Sequence, residues 1–583
     1  MVTYSLWIVA PLAVISTAGG AEQPRVVAIT VKLCEFMQVA LVPNDLVIAM
    51  ETGAHSCLRL FRRLGFFDHL EFTIRYMEIA ITFTRDGHPS KPDRLLKLSR
   101  GQQTRFELLG RPSDLENAIS SAEIAVCITD DGQPSKPQYL FNLSVAQYSR
   151  YKHRGSLSDL DNSISTLETA VRLVDEAHPD KRKYLRSLGR SQKLRFDHVG
   201  ELHDIENSIT SIEMAIQLMA DDSDPDKPDY LSDLALSHLA HFEICDDIHD
   251  LDNAIIHAER AVTLMDLSKP NHLGNLGIAL YACYERLSRS SDIDNSISNL
   301  ENAVCLTDEA HPDKWKYLRN LGRSQKLRFD HVGELHDIEN SIISIEMAIQ
   351  LMADDSDPDK PDYLSDLALS HLTRFEICDD IHDLDNAIIH AERAVTLTDL
   401  SKPHHLGNLG IALYARYKCL SCSSDIDNSI SNLENAVRLA DEAHPDKWKY
   451  LRNLGRSQKL RFDRVGELPD IENSITAIEM AIHLTPDGHS DMPKHLSSLA
   501  HSQRSRFHRL HNMLDIENAI SNLNQAIELT DDDNPMKLMY LSNLGTCKEV
   551  RFQHFGNLSD LEDSISIYEI LIQVRTLINR NIL

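Results

Sequence analysis

A short acidic element recurs along this 583-residue chain with a nearly fixed period. It reads Asp-Leu-Glu-Asn-Ala-Ile from Asp114 and Asp-Leu-Asp-Asn-Ser-Ile from Asp159. It returns at Asp204, Asp250, Asp292, Asp337, Asp383, Asp425, Asp470, Asp515 and Asp560, with a degenerate copy at His69. Successive copies lie 42, 45 or 46 residues apart. A period of about 20–50 residues marks a solenoid, whose units bury their apolar faces only against neighbours. The chain divides on this basis into an N-terminal segment, 1–55, and a repeat array, 56–583. A longer period is superimposed: residues 175–304 nearly repeat as 308–437, a shift of 133 residues. Near-identity over three repeats points to tandem duplication, so repeat number says little about function.

One unit, Lys181 to Ala220, shows what repeats. Tyr184, Leu185, Leu188 and Phe196 keep helical spacing, with Gln192 in the same stripe. After Gly200 and an acidic turn come Ile205, Ile209, Ile212, Ala215, Ile216 and Met219. Apolar residues at steps of three and four predict two amphipathic helices. Asp204 falls where an N-cap is expected. The linkers between units carry Pro, as in Asp-Glu-Ala-His-Pro-Asp-Lys from Asp175, Asp308 and Asp441, which stops a helix. Their His178-Pro179-Asp180 tripeptide, a signature of ATPase-stimulating cochaperones, reads here as loop punctuation. The leading helix always holds a small residue after its second Leu (Gly189, Gly322, Gly455) and an aromatic near its end (Phe196, Phe329). The trailing helix holds Ala at one phase (Ala215, Ala348, Ala481). Small residues let helix axes approach, so these positions are read as core, with Gly322 facing Ala348.

Leu185, Leu188 and Gly189 in one helix, followed by Ser208, Ile212 and Ala215 in the next, resemble the tetratricopeptide repeat. The unit is about 11 residues longer than the usual 34, and the excess is assigned to the intra-repeat turn and the inter-repeat loop. The stretched form resembles the repeat arms of large fungal proteins, which often precede a caspase-like CHAT protease domain. No segment matches that domain. The resemblance implies an all-α, right-handed superhelix of about twelve helix-turn-helix units, working as a non-enzymatic protein-interaction scaffold through its concave groove. The alternative it implies is the sensor or regulatory arm of a CHAT-type protease system without its catalytic domain.

Composition narrows the partners. The net charge is −29, from 88 acidic and 59 basic residues. That argues against nucleic acid, whose phosphates need a basic surface. The ten cysteines follow the helix pattern rather than a disulfide framework, and are read as small buried hydrophobes. Cys419 and Cys422 form a lone C-x-x-C, too little for a zinc site. No phosphate-binding glycine loop, metalloprotease motif or nucleophile elbow is present, so no catalytic residue, cofactor or metal site is nominated. Residues Leu6–Ile15 form an apolar run before small residues, but a basic n-region is missing and ten residues are too few to span a bilayer. Localisation is expected to be cytoplasmic, with secretion as the alternative if residues 1–21 act as a signal peptide.

Two features point to partner surfaces. Every third leading helix in the duplicated block carries a basic trio: Arg186, Arg190 and Lys193; Arg319, Arg323 and Lys326; Arg452, Arg456 and Lys459. In tetratricopeptide arrays the leading helices line the groove, and Arg forks suit carboxylates, so an acidic peptide or C-terminal carboxylate is one reading. The other is that these charges pair with acidic trailing helices and solvate the surface. At the C-terminus, Ile570, Leu571, Ile572, Val574, Leu577 and Ile578 make an apolar stretch where a terminal repeat should be polar, which suits self-association.

Overall fold

The computed structural model describes residues 43–582, apart from 220, 265–269, 288, 353–354, 356, 399–401, 443, 445, 487, 532–533 and 535. Among the described residues there are 24 helices and no strand. The first compact unit, residues 1–288, holds α1 (Pro43–Leu64), α2 (Phe67–Thr82), α3 (Lys91–Leu109), α4 (Pro112–Cys127), α5 (Lys136–Arg154), α6 (Leu157–Arg172), α7 (Lys181–Val199), α8 (Leu202–Gln217), α9 (Lys227–Cys245), α10 (Ile248–Thr263) and α11 (Pro270–Leu287). The second unit, residues 289–583, holds α12 (Ser290–Cys305), α13 (Lys314–Val332), α14 (Leu335–Leu351), α15 (Lys360–Cys378), α16 (Ile381–Thr396), α17 (Pro403–Leu420), α18 (Ser423–Leu439), α19 (Lys447–Val465), α20 (Leu468–Leu484), α21 (Met492–Leu510), α22 (Met513–Glu528), α23 (Met536–Phe555) and α24 (Leu558–Ile582). Odd numbers are leading helices, even numbers trailing ones. Each unit is an all-α solenoid of tetratricopeptide-like hairpins, as the period requires.

Two residues connect the helices of each hairpin, and wherever the first of them is described it adopts a left-handed conformation. Gly200 does so between α7 and α8 with φ 75°, its N–H donating to the Phe196 carbonyl at 2.8 Å. Asp246, Asp379, Ser421 and His511 take the same conformation without being glycine. The extra length of the repeat therefore does not enlarge this turn. It lies in helices such as α7 and α8, of 19 and 16 residues, and in the Pro-bearing linkers. In those linkers His178, His311 and His444 each accept a backbone N–H two residues on, through Nδ1 at 3.1–3.2 Å. The His-Pro-Asp tripeptide thus serves as loop punctuation.

The array begins earlier than residue 56. α1 starts at Pro43, and Val47, Met50 and Ala54 are buried with Leu70 and Ile74 of α2. A degenerate sequence kept the apolar spacing while losing the repeat's signature residues. The signal-like run at 6–15 lies outside the described residues, as do any conclusions about export.

Helix packing explains the strict positions. A Cβ added at Gly322 would lie 2.6 Å from Ile345 Cγ1 and 3.0 Å from the Ser341 carbonyl oxygen. Gly322 thus faces Ser341 and Ile345, whereas Ala348, one turn on, packs against Leu318 and Tyr363. Ser341 Oγ in turn meets Ser370 Oγ of the next leading helix at 3.0 Å. Phe196 and Phe329 are buried as expected. The cysteine reading needs correction: Cys127, Cys245, Cys305 and Cys378 are exposed because each ends its helix, and Cys419 and Cys422 are exposed free thiols.

Candidate partner-binding face

The acidic element is not a cap. Glu201 is the N-cap of α8, and Asp204 sits in the first turn, almost fully buried. Arg195, nine residues earlier on α7, grips it through both Nε (2.8 Å, to Oδ2) and Nη2 (to Oδ1). The free Nη1 of Arg195 donates to Asp161 of the preceding trailing helix α6 at 3.0 Å. One guanidinium therefore joins three helices, and these carboxylates push its pKa upward, first through the Asp204 hydrogen bond and against the cost of burial. The same staple recurs at Arg328 with Asp337 and Asp294, and at Arg461 with Asp470 and Asp427. In α9 the arginine position is His241; it and His238 share Asp250 instead, at 2.5 and 2.7 Å. The negative end of the side chain also lies at the positive end of the helix dipole. An Arg nine residues before nine of the eleven Asp was readable in the sequence, the exceptions being His241 before Asp250 and Cys283 before Asp292; it was hidden because the capping interpretation already accounted for the Asp.

Within each unit, consecutive leading helices touch, as in α7 with α9, α15 with α17 and α19 with α21. The basic trios lie on these helices, but the structure gives the three copies different surroundings. In the first, Arg186 donates from Nε to Asp233 on α9 at 2.6 Å and lies over the Tyr230 ring at 4.7 Å. Arg190 is exposed, 3.9 Å from Asp233, and lines a cleft with Arg182, Asp226 and Tyr230. In the second, Arg319 repeats the contact with Asp366 at 2.6 Å and stacks on Tyr363, while Arg323 is half-buried on the same face. Lys193, Lys326 and Lys459 each pair with an Asp one turn on in their own helix. Much of the charge is thus answered by Asp residues, and for Arg186 and Arg319 these belong to the next leading helix rather than to a trailing one.

The third trio lacks that answer. The position of Asp233 and Asp366 is occupied by Ser498 on α21. Among the described residues no carboxylate lies within ion-pair distance of Arg452 or Arg456. Arg452 Nε is shut away from solvent without a hydrogen-bond partner. Burial, aided by the neighbouring Arg456 charge, pushes the Arg452 guanidinium down to about 10. Arg456 lies over the Tyr414 ring at 4.9 Å and touches Asn453 at 3.4 Å. His501 of α21 is held near 4 by burial and by the Arg504, Lys459 and Arg456 charges, against its hydrogen bond to Asn543. The third trio thus keeps its cations while Ser498 stands where the other copies have an Asp; Asp491 acts on Arg452 only from beyond ion-pair distance.

Elsewhere, Ile570 and Ile572 of α24 are exposed, whereas Leu571 packs against the last core cluster. The side chains from 574 onward lie outside the described residues. Among those residues no helix is long and apolar enough to cross a membrane.

No family model matches the chain, and no curated protein is similar to it. Among solved structures, it is similar to the human IFIT1 dimer with PPP-AAAA (14% identity, 78% of this chain and 94% of that one, TM-score 0.38). It is also similar to yeast Tom70 (13% identity, 88% and 97%, TM-score 0.34). A tetratricopeptide repeat protein from Parabacteroides merdae matches at 11% identity, over 55% and 98%, with a TM-score of 0.36. At such identities and scores these likenesses say nothing of partners. The helices themselves make the chain an α-solenoid of about twelve tetratricopeptide-like hairpins.

Proposed function

We propose that the protein is a non-enzymatic interaction scaffold whose leading-helix face receives an acidic peptide or a C-terminal carboxylate at Arg452, Arg456 and Lys459. The supporting observation is the loss of one internal acid. Arg186 and Arg319 each donate from Nε, to Asp233 and Asp366 respectively, while Ser498 stands at the equivalent position for Arg452 and Arg456, its hydroxyl donating to the Lys494 carbonyl. A buried N–H without a partner, as at Arg452 Nε, is costly, and an incoming carboxylate supplies an acceptor that a guanidinium can grip with two donors. Tyr414 beneath Arg456 holds that side chain in place. The first and second trios are secondary contacts, with the exposed Arg190 as the most available of them.

The test is binding of a fluorescent glutamate-rich peptide to the full chain, with three charge-reversed variants, one for each trio. Reversal of Arg452 and Arg456 to Glu is expected to abolish binding, and reversal of Arg186 and Arg190, or of Arg319 and Arg323, to weaken it by less. Equal affinity in the wild type and the Arg452/Arg456 variant contradicts the reading. Raising salt should weaken the wild-type complex, since charges are screened beyond about 8 Å at physiological ionic strength.

A further inference from the structure

Asp362, His404 and His405 bring three metal-ligand atoms together in the second unit. Asp362 lies in the first turn of α15, and the two histidines open α17, the next leading helix. His404 Nε2 is 3.0 Å and His405 Nε2 3.3 Å from the same oxygen, Asp362 Oδ1. All three ligand atoms lie within 4.8 Å of one another. Bonds of about 2.0–2.2 Å in a tetrahedral zinc site put ligand atoms about 3.3 Å apart, so small side-chain shifts admit an ion. His405 is fully buried, and neither ring nitrogen has a well-aligned hydrogen bond. Burial is costly for an imidazole whose polar contact is a poorly aligned approach to Asp362, and ligation relieves it.

The internal duplication supplies a comparison inside the same chain. The first copy reads Leu267-Ser268-Lys269-Pro270-Asn271-His272 and the second Leu400-Ser401-Lys402-Pro403-His404-His405. Asp229 and His272 keep the same carboxylate–imidazole approach, at 3.2 Å, but Asn271 stands where His404 does. A single residue converts a pair into a triad. Lys402 Nζ, 3.3 Å from Asp362 Oδ2, competes with a cation for the carboxylate. Its half-exposed side chain is free to swing into solvent when an ion arrives.

We propose that Asp362, His404 and His405 form a site for a divalent transition metal of the zinc type. Two imidazoles and one carboxylate suit zinc, cobalt, nickel or copper, whereas magnesium and calcium prefer oxygen donors. The ion would tie the first turns of α15 and α17 together, and its remaining coordination positions stay open to water or to a partner's side chain. This site stands apart from the Arg452 cluster and does not depend on the function proposed for it.

The experiment titrates the metal-free full chain with zinc by calorimetry, and with cobalt(II) as a visible-absorption probe. Wild type, His404→Asn and Asn271→His are compared. His404→Asn recreates the residue that the first copy carries, so it should fold, and its melting without metal checks this. The wild type should bind one zinc more than His404→Asn, show a cobalt absorption band that the variant lacks, and melt higher with zinc while the variant does not. Asn271→His should add a further bound ion. Zinc uptake and cobalt spectra that are the same in wild type and in a folded His404→Asn overturn the proposal.

Discussion

At the residue scale, most of the strict positions owe their identity to what lies within 3–4 Å. Gly322 has no room for a Cβ beside Ile345 and the Ser341 carbonyl. Gly322→Ala gains about 1 kcal/mol of helix propensity, yet overpacking of about 1–3 kcal/mol should outweigh it, giving a net loss in a urea melt. A stabilised variant would show that α13 and α14 are not in contact there. The Arg staple makes a second claim. Asp337 is almost fully buried and Arg328 half-exposed, so Asp337→Ala should cost up to about 3–5 kcal/mol, the range for breaking a buried pair. A change below about 0.5 kcal/mol would place that pair at the surface. Burial also holds His257, His390, His495 and His501 at about 4, against about 6.5 in an unfolded chain. Each is neutral when folded while the unfolded chain takes up a proton. Stability should therefore fall as pH drops from about 6.5 to about 4, then stop changing on their account. His495 aligns with Tyr230 and Tyr363, so His495→Tyr should flatten that slope in pH-dependent melts; an unchanged slope would remove His495 from the account.

At the scale of the element, the hairpin is set by its two-residue turn and by the Arg that crosses it. His511 holds φ 54° where most repeats have Gly. His511→Gly should raise stability by about 1 kcal/mol, the usual cost of left-handed backbone for a residue with a Cβ; a loss instead would mean that its ring, near Phe507 and His554, matters more. The helices and their core phases were legible in the sequence because apolar spacing repeats twelve times and chance does not. The start of the array at Pro43 was not, since α1 keeps only the apolar spacing. Asp204 was misplaced by one turn because an acidic residue before a helix has two explanations, cap and buried ion pair, and only depth separates them. The trios were found from charge spacing. Their inequality was not, because it rests on Ser498, a residue on another helix whose importance lies in the acid it is not.

At the scale of the whole molecule, an acidic chain is expected to repel acidic partners at long range, so recognition has to be local. A net charge of −29 and a cluster of Arg452, Arg456, Lys459 and Arg504 are compatible because physiological salt confines each field to about 8 Å. Duplication copied the trio and its Asp partner together, and the third copy kept the trio alone. That makes Ser498 the position on which the account turns. Ser498→Asp restores the acid that Arg186 and Arg319 already have, so it should close the site from within. The decisive measurement is therefore paired, with melting temperature and affinity for the glutamate-rich peptide determined on the same Ser498→Asp protein. Ser498→Asp should raise the melting temperature, through a charge-assisted contact of about 1.5–3 kcal/mol, and abolish binding. A variant that melts higher and still binds the peptide as the wild type does would contradict the proposed site.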